Sequence, residues 1–226
     1  MEDGKIMNKL NILYEDNHII VVEKKANILS QGDTTNDKDL LTLIKEYIKE
    51  KYKKPGNVYL GLVHRLDRPV GGIMVFAKTS KAASRLSKQI QDGTFHKEYL
   101  AVVEGQINED CGKFIDYLKK ENNGNTVVTN EKDGKYSELE YKVIKREKKL
   151  NKTLVKINLI TGRHHQIRVQ FASRNYPLCG DQRYGQMDKT QIALYAYRLE
   201  FVHPVKKEKM KFELFPKKEE HWKKMI

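Results

Sequence analysis

The chain predicts an α+β fold, a mixed and mainly antiparallel β-sheet with flanking helices. Short apolar, β-branched runs dominate it, among them HIIVVEK, GGIMVFAKT, HKEYLAVVEG and ALYAYRLEFVHP. Segments with helical spacing lie between them, but without the regular strand–helix alternation of a doubly wound sheet.

In chain order, NILYED and HIIVVEK read as strands joined at Asp16-Asn17. DLLTLIKEYIKEKY places Leu40, Leu41, Ile44, Tyr47 and Ile48 at helical spacing. YLGLVHRL and GGIMVFAKT are apolar and β-branched enough for strands. Ser80 is the expected N-cap of KAASRLSKQIQD, with Gly93 as its stop. HKEYLAVVEG is a further strand, and YSELEYKVIKRE with KTLVKINLITG makes a hairpin with a charged tip. HHQIRVQFASRN reads as a helix ending before Pro177, followed by late strands in ALYAYRLEFVHP and KMKFELFP. Neither a repeat nor a low-complexity linker interrupts the pattern, so a single domain over residues 1–226 is expected.

Lys plus Arg is 43 against 30 Asp plus Glu, a formal net charge of +13, which points to a polyanionic partner. Many of the lysines lie in KEYIKEKYKK, KREKKLNK and KKEKMK, runs that also read as solvated faces. The two cysteines, Cys111 and Cys179, make neither a disulfide framework nor a zinc spacing. MEDGKIMNKL lacks the apolar stretch of a signal peptide. No apolar run approaches the about 18 residues of a membrane span. A soluble, cytoplasmic protein is expected.

Chemistry-bearing residues gather in islands: HRLDRPVGG around Asp67, HKEYLAVVEG with Tyr99, Leu159–Gly185, and LYAYRLEFVHP. In the first, a lone acid follows a mostly apolar run, at the expected end of a buried strand, a setting no surface ion pair requires. Each island also has a plainer reading. Tyr99 suits a strand core, the adjacent His164 and His165 point apart and make a poor metal pair, and Gly162, Gly180 and Gly185 suit turns. HRLD brushes against a protein-kinase catalytic loop, but the Gly-rich loop, DFG and VAIK lysine are absent, as are a P-loop and a dinucleotide fingerprint. A glycosidase would want paired carboxylates.

Taken in order, HRLD followed by GG and a strand, then KEYLAVVEG, then TGRHHQIRV with GDxxYG, resembles the RNA pseudouridine synthases of the RluA type. The resemblance runs from about residue 11 to 216. It implies a mixed-sheet catalytic domain with a central cleft, RNA (rRNA or tRNA) as partner, and isomerisation of uridine to pseudouridine without cofactor or metal. It implies that Asp67 is the essential aspartate, that Tyr99 stacks on the target base and assists proton transfer, and that Arg168 pairs with the aspartate. Arg65 would fill the gap left by the flipped base and Ile167 would pack on the target. Arg163 and His164 would hold the RNA backbone, and His64 joins the substrate-binding group. A monomer is expected, and strand-like sequence from near Leu10 leaves no room for an S4 domain.

The chain also departs from the family pattern. Pro69, Val70, Gly71 and Gly72 follow Arg68 where a variable residue and TSG are usual, so Val70-Gly71 replaces the Thr-Ser hydroxyls. The early KPxG motif appears as Lys25-Ala26-Asn27-Ile28, and Gln170 replaces a histidine. The rival classes are an RNA-binding module that kept the fold and a base-excising glycosylase. The first would explain the charge but not the ordered Asp, Tyr and Arg set, and the second also flips bases and uses an aspartate but releases free base. The isomerisation needs an ionised carboxylate at the ribose–base junction. A cation such as Arg168 would keep it charged, and the adjacent glycines would let RNA approach.

Overall fold

In the computed structural model of the protein, residues 10–33, 37–186 and 189–226 are described, so the amino-terminal stretch read above for a signal peptide falls almost wholly outside them. The first elements are β1 (Asn11–Glu15), β2 (Ile19–Lys24), α1 (Leu40–Lys51), β3 (Gly61–Leu62), β4 (Gly71–Ala77), α2 (Ser80–Gln91) and β5 (His96–Glu104). Then follow β6 (Cys111–Lys120), β7 (Thr126–Thr129), β8 (Lys135–Glu147), β9 (Lys152–Leu159), α3 (Gln166–Ala172), β10 (Leu194–Val202) and β11 (Lys209–Glu213). The chain forms two compact units and passes between them after Phe95, inside β10 after Tyr197, and after Leu214.

The first unit takes the chain up to Phe95 together with Arg198–Leu214. The β1–β2 hairpin closes where the Asp16 carboxylate accepts from the His18 and Ile19 amides, at 2.8 and 2.9 Å. The turn comes where the Asp-Asn pair predicts it, because an Asx side chain mimics a backbone turn. Antiparallel ladders join β2 to β4 and β10 to β11. Asp39 caps α1 by accepting from the Thr42 amide, and α1 buries Leu40, Leu43, Ile44, Tyr47 and Ile48. The cap of α2 is Thr79 rather than the expected Ser80: the Thr79 hydroxyl accepts from the Ala82 amide, and Ser80 becomes the first helical residue. Ala82 and Leu86 pack onto Ile19, Val21, Ile73, Val75, Leu199 and Phe201 in one cluster.

The second unit holds His96–Tyr197 and Phe215–Ile226. Its antiparallel ladders run β5–β9–β8–β6–β7. Opposed residues share a face of a sheet. Tyr99 opposite Ile157, Ile157 opposite Tyr141 and Phe114 opposite Leu139 therefore lie on one side. Helix α3 covers that side: the Phe171 ring sits 4.9 Å from Phe114 and 5.8 Å from Tyr141. Burying Phe171 alone contributes about 1.5–3 kcal/mol. Gln170 and Arg174 reach down to Asp116 at 2.7 and 2.9 Å, so the residue in the place of the usual histidine ties α3 to β6. On the other side Leu100, Val102 and Leu154 cluster with Tyr197, Trp222 and Met225.

Candidate active site

Asp67 does not end a strand. β3 stops at Leu62, and the backbone from Val63 onward leaves the ladder for a turn closed by the Val70 amide donating to the Asp67 carbonyl at 3.0 Å. Pro69, which has no amide hydrogen, cannot join a ladder there. Other groups supply what the ladder does not. The buried Ser30 hydroxyl donates to the Leu66 carbonyl at 2.8 Å and accepts from the Leu66 amide at 3.1 Å. On the other side of Asp67, the Arg68 carbonyl accepts from the Asn27 amide at 2.9 Å and from Lys24 Nζ at 3.0 Å. Asn27 adopts a left-handed conformation, φ +67°, to make its contact. The half-buried Asp67 is thus held through its neighbours' peptides by the segment from Lys24 to Ser30.

Lys24 is fully buried, and sequence reasoning missed it because a lysine after an apolar strand reads as solvated. Its ammonium also donates to the carbonyls of Ile28, at 2.6 Å, and Lys25, at 3.3 Å, so the altered KPxG segment supplies its acceptors. Burial pushes its pKa down to about 7, with the Asp67 charge pulling upward and Arg68 pushing further down. The folded protein therefore binds this proton less tightly than the unfolded chain, whose lysine titrates near 10.5. Stability gains from this group as pH rises from 7 towards 10.5. The parent is expected to gain melting temperature relative to Lys24→Met across that interval. Parallel pH profiles for the two proteins would show that the amine stays charged throughout.

Gly71 and Gly72, expected to admit an RNA backbone, are instead buried at the start of β4. Gly72 pairs with Lys24 at φ +135°, a conformation that favours glycine. His64 turns inward as well: its Nε2 accepts from the Val75 amide at 3.1 Å and its ring lies 5.5 Å from Phe95. Arg65 is exposed, and Arg68 forms an exposed ion pair with Asp37.

In the second unit, Tyr99 is 6% exposed on β5, on the sheet face that α3 covers. The expected helix begins at Gln166, later than HHQIRV suggests, because His164 and His165 form a turn and His165 is left-handed at φ +51°. Buried Gln166 organises that turn: its side-chain oxygen accepts from the Thr161 hydroxyl and the Arg163 amide, and its amide donates to the Glu138 carbonyl. Arg163 is exposed, with Nε donating to the Tyr136 carbonyl, and Ile167 is buried. His164 and His165 stack with ring centres 3.7 Å apart. His164 pairs with the Thr126 hydroxyl and His165 with the Tyr184 hydroxyl, both at 2.8 Å. Burial, with the charges of Arg168, His164, Arg183 and Lys120, pushes the His165 pKa down to about 2, so its imidazole is neutral at physiological pH.

Arg168 has a partner the sequence did not announce. Its Nε donates to Asp181 Oδ2 at 2.8 Å and its Nη2 to Oδ1 at 2.7 Å, a two-pronged ion pair buried in the second unit. The guanidinium also lies over the Tyr184 ring, 5.2 Å from its centre. Asp181 and Tyr184 belong to the GDxxYG island, of which the sequence marks only the glycines, as turn residues. An acid embedded among apolar residues, as in PLCGD, was the available signal.

The fold matches that of pseudouridylate synthase domains. The solved structure titled human RNA pseudouridylate synthase domain containing 4 superposes with a TM-score of 0.77 at 18% identity, over 94% of this chain and 90% of that one. Human RNA pseudouridylate synthase domain containing 1 gives 0.75 at 22% identity, over 96% and 87%. The sequence is similar to an uncharacterized RNA pseudouridine synthase of Aquifex aeolicus, 36% identical over 91% of this chain and 69% of that protein. It is also similar to the ribosomal large subunit pseudouridine synthases C of Buchnera aphidicola, 34% identical over 88% and 65%, and Haemophilus influenzae, 32% over 92% and 67%. The chain spans about two thirds of the length of these relatives. Residues 18–173 match the RNA pseudouridylate synthase family, and the chain belongs to it.

Proposed function

We propose that the chain isomerises uridine to pseudouridine in RNA, without a cofactor, and that its substrate is large-subunit ribosomal RNA. The observation that carries the reading is the presentation of Asp67, a half-buried carboxylate whose flanking peptides are both fixed by buried groups. A reacting group is held this way when geometry decides rate. Asp67 acts as nucleophile or base while the N1–C1′ bond breaks, the base turns, C5 joins C1′ and the C5 proton leaves. Arg168 supplies the cation of the catalytic set. The target must leave its stack, at a cost of a few kcal/mol. Stacking on Tyr99 and packing on Ile167 offset it, with Arg65 in the vacated place. The net charge of +13, with Arg163 and His164 just before α3, fits a polyanionic partner. The names of the similar synthases C favour ribosomal over transfer RNA.

Transcripts of large-subunit ribosomal RNA and of transfer RNA carrying tritium at uridine C5 test this. Tritium should appear in water from the ribosomal transcript, with RNA mass otherwise conserved and pseudouridine in the nuclease digest. Release of free uracil would make the protein a glycosylase, and binding without either product would make it a binding module.

A further inference from the structure

We propose that Asp181 is the positioning residue for Arg168, and that with Tyr184 it fixes the guanidinium before RNA arrives. The inference rests on the catalytic role proposed above for Arg168. Asp181 is 1% exposed, and its two oxygens are organised for one task. Both accept from Arg168, and Oδ1 also accepts from the amides of Arg183 and Tyr184, at 3.0 and 3.2 Å. A carboxylate so held cannot rotate without giving up several bonds at once. A planar fork facing a planar guanidinium fixes orientation as well as place.

The loop itself is anchored. The Asp181 carbonyl accepts from the Gly185 amide at 2.8 Å, and Gly180 sits at φ +72° against the backbone of Gln191, where a side chain has no room. Tyr184 links the loop to β7: its hydroxyl accepts from the Thr126 amide at 2.7 Å and pairs with His165, while its ring faces Arg168. Arg183 adds a bond to the Asn125 side chain at 2.8 Å. The arginine on α3 is therefore oriented by a separate loop, which is in turn fixed to the sheet.

Asp181→Asn tests this. The amide keeps an oxygen for the Arg183 and Tyr184 amides but cannot pair both of its atoms with the guanidinium. Single-turnover rates at saturating enzyme, well below the melting temperature, should fall on the order of 100-fold, with RNA affinity within about threefold of the parent. Tyr184→Phe, which keeps the ring over Arg168, should retain more of the rate than Tyr184→Leu. A readout independent of activity is the Nε–H signal of Arg168 in nitrogen-resolved NMR. It should exchange slowly with water in the parent and rapidly in Asp181→Asn. Parental rates in a folded Asp181→Asn would overturn the proposal, as would a lost rate that returns fully on cooling. Unchanged protection of Nε–H would do the same. If the parent modifies no RNA while Asp181→Asn still loses the protected signal, the positioning holds and the assigned reaction fails.

Discussion

Asp67→Asn is expected to fold, to bind RNA, and to form no pseudouridine. The contacts that set the turn use backbone atoms of Leu66, Asp67 and Arg68, met by Ser30, Val70, Asn27 and Lys24. Asparagine suits the first position of such a turn as well as aspartate does, so the melting temperature should move little. The chemistry has no such tolerance. A neutral amide is a poor nucleophile and a poor base, and loss of a central reacting group costs on the order of 10⁴-fold or more. Tritium release in single turnover, beside binding of the same transcript, separates the two effects. Turnover within about tenfold of the parent would sink the assignment of Asp67.

Arg168→Met should lose both activity and stability. The parent buries the pair almost completely, with side chains 6% and 0% exposed. Methionine fills much of the volume but leaves the Asp181 charge without its cation, at a cost of about 3–5 kcal/mol. The two amides that still donate to Asp181 place the expectation at the lower end, a fall in melting temperature of roughly 10 °C. Adding Asp181→Asn to Arg168→Met removes the stranded charge, so the double variant should recover part of the stability and none of the activity. Such a cycle measures the coupling directly. If Arg168→Met melts and turns over like the parent, the residue has neither role.

Strands that bury an apolar face were legible, and so were helices with a clean stripe: β1, β2, β4, β5, β8 to β11 and both longer helices follow from pattern. β6 and β7 were not. The run CGKFIDYLKK carries charge on its outer face, and Lys113 there bonds Glu138 and Glu140 on β8, a pairing no single segment discloses. The stretch before Asp67 misled in the opposite direction. Val63 and Leu66 look like strand, yet the backbone around Asp67 is satisfied by a serine hydroxyl and a lysine far away in sequence. The same kind of distance hid Lys24, Asp181 and the left-handed His165. The order of the motifs did identify the family, because Asp67, Tyr99 and Arg168 need only be recognised, not packed.

The boundary inside β10 has a bearing on synthesis at the ribosome. The cluster of the first unit is incomplete until Leu199 and Phe201 arrive, after nearly all of the second unit has been translated. The cluster of the second unit in turn waits for Trp222 and Met225. Neither unit is a continuous stretch, so neither can mature as a bead on the emerging chain in the way successive domains do. Stalled chains ending before Leu199 should remain open to protease along β2 and β4, and resistance there would show that β10 is dispensable to the first core. Completion of both cores thus waits for β10 and the residues that follow it, and no single cut divides the chain into two pieces that each hold a whole unit.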